Sequence, residues 1–208
     1  MGKRRKRNPA VWIAKTAVLL GLALLFQTLD AILPAMSAVH LGPFDLSTLI
    51  IGMLVNLTLC VAAGYAGFWS GVIIGVLTPA AALLQGQMAF AVMLPVVAAG
   101  NITIVTVFWL LAKKARFPGS MYVGAIAGGA LKFGVMWAPM TFAILPALIL
   151  LAPDAQKASV LSTTLTFSMI WAQLITGVAG GVIAAAIIPP IRRGLGEKKE
   201  KEEEYEKR

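Results

Sequence analysis

Apolar residues run along this chain in long unbroken blocks, with no two-residue alternation and few polar interruptions. Six blocks read as helical spans, at about 10–28, 48–66, 68–86, 88–112, 121–145 and 159–191. About 20 mainly apolar residues are needed to cross the roughly 30 Å of hydrocarbon in a bilayer. Barrel strands would alternate, so helices are the reading. The pattern predicts an all-α integral membrane protein, a bundle of six transmembrane helices. Pro95, Pro139 and Pro146 predict kinks in the 88–112 and 121–151 regions. The Gly-rich stretch "GYAGFWSG" (64–71) predicts a tight hairpin between spans two and three. "DAILPAMSAVHLGPFDLS" (30–47) is a longer connection, of the kind used for lids and binding loops.

Composition agrees with the pattern. Hydrophobic residues make up 59% of the 208 and charged residues 13%, and the mean hydropathy is +0.83, which leaves too little polar surface for a soluble domain. The net charge of +9 raises nucleic acid as a partner, but the positions of the charges argue for topology instead. Five of the 18 Lys and Arg lie in "KRRKR" (3–7), three at 113, 114 and 116, and seven after the last span. Only Lys15, Lys132 and Lys157 lie elsewhere. Six spans put the three basic clusters on one side, and the positive-inside rule makes that side cytoplasmic. Both termini are then cytoplasmic, in a multi-pass protein of the cell membrane whose basic ends meet anionic lipid rather than nucleic acid. The organisation predicted is a basic N-terminus (1–9), a six-helix membrane domain (10–191) and a charged tail (192–208). The N-terminal segment has the look of a signal peptide, but no convincing cleavage site follows, and it is read as a retained first span.

Catalytic chemistry finds little footing. Cys60 is the single cysteine and His40 the single histidine, and "HExxH", "GxSxG" and Walker-type loops are missing. Neither enzymatic activity nor a cofactor or metal is expected, and the lack of acids within the spans disfavours a carboxylate proton relay.

One charge is out of place. Lys132, in "GGALKFGVMWAP" (128–139), lies about 11 residues into span five, roughly 16 Å from its inner end and beyond snorkelling reach. A charge at that depth costs about 2.5–3.5 kcal/mol on insertion scales. Its companions must be neutral polar groups, water, or an anion brought from outside. Lys15, five residues into span one, is expected to snorkel. The neutral polar set is Asn56, Gln85, Gln87, Asn101 and Gln173. Singly each suits an interhelical hydrogen bond; together with Lys132 they point to a solute pocket. Trp137 and Trp171 are candidates for stacking surface or for packing, while Trp12, Trp69 and Trp109 suit an interfacial belt. Small residues at spacing four (Ala10/Ala14, Ala17/Gly21, Gly71/Gly75) predict close helix packing within the chain, with contact to a separate subunit as the alternative.

Two segments resemble a known pattern: "GPFDLSTLIIGMLVNLTLCVAAGYAGFWSGVIIGVLTPAAALLQG" (42–86) and "PVVAAGNITIVTVFWLL" (95–111), joined by "ALKFGVMW" (130–137). With six spans and a basic inner loop between spans four and five, the chain resembles the substrate-binding S component of energy-coupling factor (ECF) transporters. The resemblance implies capture of a vitamin or similar micronutrient from the outer face. It also implies dependence on a transmembrane coupling (T) subunit and two cytoplasmic ATPases. An "AxxxA" docking face would fall on Ala10 and Ala14, extending to Ala17. The family's ligand sites, on helices four to six and the outer loops, would use Asn101, Lys132, Gln173 and the 30–47 loop, which would close over the solute. The residues match the pocket of no one vitamin-specific group, so the solute stays open. A self-sufficient secondary carrier and a non-transport scaffold subunit are the competing readings, the carrier weakened by the absence of a visible inverted repeat.

Overall fold

The computed structural model describes residues 9–32, 38–88, 90–115, 117–151 and 154–194. The basic 3–7 cluster, the tail beyond Gly194 and residues 33–37 of the long connection lie outside the described residues. Helix α1 is Pro9–Gln27, followed by a single turn, Leu29–Ile32. A minimal hairpin pairs β1 (His40–Leu41) with β2 (Phe44–Asp45) in antiparallel register, His40 opposite Asp45. Helix α2 is Leu46–Ala66, α3 is Phe68–Leu84, and α4 is Leu94–Lys114 behind a 3-10 turn at Ala91–Met93. Helix α5 is Ser120–Leu150. Helix α6 runs through Ala155–Thr164, Leu165–Trp171 and Ala172–Gly194.

Five of these, all but α3, are long and apolar enough to cross a membrane, and α3 has 17 residues. Large apolar side chains are exposed along α1, α3, α5 and α6, among them Val18, Leu77, Phe142 and Ile183. None is exposed on α2 or α4, which occupy the interior of the bundle. An apolar exterior around an apolar interior suits a lipid surround.

The prolines act differently from one another. Pro95 sits in the first turn of α4 and opens the helix instead of kinking it, because a first-turn N–H has no intrahelical partner to lose. In α5, Pro139 and Pro146 flank a π-helical turn, Met140–Ile144. Their missing N–H groups deprive the carbonyls of Val135 and Phe142 of their normal donors, and the helix widens between them. Further π-helical stretches close α2 (Ala62–Ala66) and interrupt α6 (Leu165–Trp171).

The hairpin expected at 64–71 turns on Gly67, whose φ of +123° is open only to glycine. Its amide donates to the Ala62 carbonyl at 2.8 Å. Arg192 from α6 donates to the Gly64 carbonyl inside the π turn. Lys15 does not simply reach for water: its Nζ stands 4.1 Å from the Tyr65 ring centroid. Thr16 and Ser70 share a buried hydrogen bond of 2.7 Å that ties α1 to α3.

Packing is closest between α4 and α5, α2 and α6, α5 and α6, and α3 and α4, while α1 leans on α2 and α3. Small residues make this possible. A Cβ on Gly71 would come within 2.7 Å of Val105, and one on Gly129 within 2.8 Å of the Val178 backbone nitrogen. The expectation of internal packing therefore holds at Gly71 and Gly75. It fails for α1, where Ala10, Ala14, Ala17 and Gly21 are all exposed. Two apolar clusters form the core. One gathers Leu59, Ile74, Ile104, Phe108 and Ile188 near the Gly67 hairpin, the other Met93, Met140, Ile144, Leu165 and Ile170 at the far end. Along α4, α5 and α6 the buried polar residues Asn101, Lys132 and Thr176 fall in sequence between the two clusters.

Gly180 offers a direct test of this packing. A Cβ there would overlap the Met53 carbonyl oxygen and lie 2.7 Å from the Leu57 nitrogen. Gly180→Val should lower the unfolding midpoint of the purified, detergent-solubilised protein by the equivalent of more than about 3 kcal/mol. Gly134→Ala, with nothing within 4 Å, should leave it unchanged or slightly raised.

Candidate functional site

The ammonium of Lys132 has two partners from the chain itself. Its Nζ donates to Asn56 Oδ1 at 2.7 Å and to Asn101 Oδ1 at 2.9 Å. Of the companions expected for it, neutral amides are the ones supplied, and the residue is only 2% exposed. Lysine is a donor only, so both amide oxygens must face it and both Nδ2 groups must donate elsewhere. Asn56 Nδ2 donates to the Gly52 carbonyl (2.8 Å) and Thr176 Oγ1 (3.3 Å). Asn101 Nδ2 donates to the Gly75 carbonyl (3.0 Å) and Thr78 Oγ1 (3.4 Å). The two threonine hydroxyls in turn donate to the carbonyls of Ala172 and Ile74, one turn back in their own helices. Each asparagine and threonine donor has an acceptor, and both asparagine oxygens converge on Lys132 Nζ.

Glycine is needed at two of these positions. A Cβ on Gly75 would press on Asn101 Cβ at 3.2 Å, and one on Gly52 would meet Thr176 Cγ2 at 3.0 Å. Neighbouring helices therefore approach closely enough for a short side chain to reach a backbone carbonyl across the gap. Among the described residues, no carboxylate approaches Lys132: Asp45 pairs with His40 at 2.7 Å and Asp154 lies 3.7 Å from Lys157, both in connections. No described carboxylate therefore offsets it, and its Nζ has no third acceptor among the described residues.

That side of the network borders a partly open cavity of about 220 Å³. Helix α2 contributes Ser47, Thr48, Ile51 and Asn56; α3 contributes Thr78, Pro79 and Ala82. Gln27 comes from the end of α1, Gln87 and Met88 from the α3–α4 turn, Asn101 from α4, Lys132 from α5 and Gln173 from α6. The lining runs from Asn56, Asn101 and Lys132 in mid-helix to where α1 ends and α2 begins, toward the end of the bundle away from Gly67 and Arg192.

Five of the eight expected solute-site residues thus come together: Lys132, Asn56, Asn101, Gln87 and Gln173. Three do not. Gln85 is exposed in the α3–α4 turn, where Gly86 takes a φ of +72°. Trp137 packs edge-on against Phe142, and Trp171 lies against Phe133, both on exposed faces outside the cavity lining. The π-helical stretches beside both tryptophans shift the helix faces, which an even 3.6-residue count does not anticipate. The expectation that helices four to six dominate the site also needs correction, because α1 to α3 supply most of the wall. Of the long connection, the β-hairpin rests Phe44 edge-on against Phe167 of the α6 π-helical stretch, ring centroids 6.0 Å apart.

Thr78, Thr176 and Gln27 are residues that sequence reasoning missed, and Gln27 is the most informative of them. It is 6% exposed and donates from Nε2 to the Thr78 carbonyl at 3.0 Å, while its backbone carbonyl accepts from Gln87 Nε2. Its position as the last polar residue before a span end masked it; the available signal was an amide directly following "LLF".

The network predicts an order of stabilities. Asn101→Leu strands a buried cation and should cost about 3 kcal/mol. Lys132→Met leaves two amide oxygens unpaired but removes the charge, and should cost only about 1–2 kcal/mol. Unfolding midpoints of the two purified variants check this, and the reverse order would contradict the network. Searches against protein-family models, curated proteins and solved structures return no match for this chain.

Proposed function

We propose that this chain is the membrane-embedded substrate-capture subunit of an ATP-driven importer of the ECF type. It takes a small vitamin-like solute from the extracellular side of the plasma membrane, with both termini in the cytoplasm and no catalysis of its own. The observation that carries the reading is the cavity floored by a buried, carboxylate-free cation. A buried charge left unneutralised by its protein is costly, and an anionic or electron-rich solute would recover part of that cost. The cavity lining reaches toward the end of the bundle opposite Arg192 and Lys113, which supports an extracellular opening by the distribution of positive charge. The exposed row of Ala10, Ala14 and Ala17 supports docking of a transmembrane coupling subunit, which would bring two ATPases.

One observation favours a second reading, a scaffold subunit: the Lys132 amides are fully hydrogen-bonded within the chain and clasp α2, α4 and α5 together. Native mass spectrometry of the purified protein separates the two, since a capture subunit should carry a co-purifying small molecule. Lys132→Met should weaken that binding at least about 10-fold while the protein still inserts and assembles. Ala14→Trp should do the reverse, preserving solute binding and blocking coupled uptake. Unchanged affinity in Lys132→Met would defeat the assignment.

Orientation has its own test. Cys60 is fully buried, so introduced cysteines report alone. Leu41→Cys should react with a membrane-impermeant maleimide on intact cells, and Phe117→Cys only after permeabilisation. The opposite pattern would invert the topology.

A further inference from the structure

Beside the cation the cavity holds a second unmet demand. Gln27 Oε1 is buried and has no hydrogen-bond partner among the described residues. The amide cannot be turned to hide it. Its Nε2 is committed to the Thr78 carbonyl, which only accepts, and a flip would set two oxygens against each other. A buried acceptor without a donor is expensive, and native structures rarely leave one unexplained. Gln27 lines the same cavity as Lys132, and the two are joined through Thr78 and Asn101. Thr78 accepts from Gln27 at its carbonyl and from Asn101 at its hydroxyl, and Asn101 accepts from Lys132. The half-buried Gln173 also lines the cavity and makes no hydrogen bond to any described residue.

We infer that the cavity selects a small solute bearing both an anionic or electron-rich acceptor, met by Lys132, and an N–H or O–H donor, met by Gln27 Oε1. This rests on the solute-capture reading and sharpens it to two-point recognition of opposite polarity. A simple anion would leave Gln27 unsatisfied, and a purely donating solute would leave Lys132 facing the cavity unneutralised. The volume limits the guest. At 220 Å³ the space equals about seven waters, or about ten packed non-hydrogen atoms. Small hydroxy- and amino-carboxylates fit that class.

The test titrates the purified wild-type chain, Gln27→Met and Lys132→Met with matched probe pairs, read by native mass spectrometry. The pairs are hydroxy- or amino-carboxylates and their donor-blocked analogues, including 4-hydroxybenzoate with 4-methoxybenzoate and 3-aminopropanoate with its N,N,N-trimethyl derivative. In the wild type, the donor-bearing member should bind about 10-fold tighter than its blocked partner. In Gln27→Met that preference should vanish while the blocked member binds as before, which also shows that the variant is folded. Lys132→Met should weaken both members. A wild type that takes both members equally, with both lost in Lys132→Met, would overturn two-point recognition and leave solute capture standing. A wild type that takes no probe, or takes them regardless of Lys132, would overturn both.

Discussion

An ammonium group enclosed by apolar helices has to be met by acceptors, and each acceptor drags its own requirements behind it. That constraint organises the middle of this molecule. Two asparagine oxygens meet Lys132, two threonine hydroxyls and two glycine carbonyls hold the asparagines in orientation, and the glycines exist where they do because the helices must nearly touch. The apolar clusters on either side are ordinary by comparison. With no described carboxylate to offset it, Lys132 in its protonated form projects a positive field into a cavity with low-dielectric walls, where fields are focused rather than screened.

Much of the fold was legible because its signal is coarse. Unbroken apolar runs need only length to be read, and the six helices fall where such runs lie, with ends shifted by a few residues. The turn at Gly67 was legible for a different reason, since a cluster of glycines marks backbone conformations closed to other residues. The effect of Pro95 was misread because a proline bends a helix only from inside it, and the true start of α4 at Leu94 is not marked by hydrophobicity.

The site was legible where polarity is rare and obscure where helix phase matters. A lysine and amides amid apolar sequence stand out, so Lys132, Asn56 and Asn101 could be named without coordinates. Which side chains share a face depends on counting residues per turn, and three π-helical stretches break that count. Trp137 and Trp171, next to two of those stretches, ended on the outside. The fate of the small-residue rows was equally invisible: identical spacing serves an internal seam at Gly71 and Gly75 and a bare exterior face at Ala10, Ala14 and Ala17.

Helix α1 combines two properties that rarely occur together. It is the least enclosed of the long helices, resting mainly on α2 and α3, yet its last residue lines the cavity. A partner docked on the exposed side of that helix would also act on the wall of the cavity. Linkage would then run in both directions: a solute that tightens the cavity wall would change how firmly the helix is held, and a partner on the helix would change the solute's affinity by the same factor. A single rod, anchored weakly beside the cavity, would be enough to make occupancy of the interior felt on the outside.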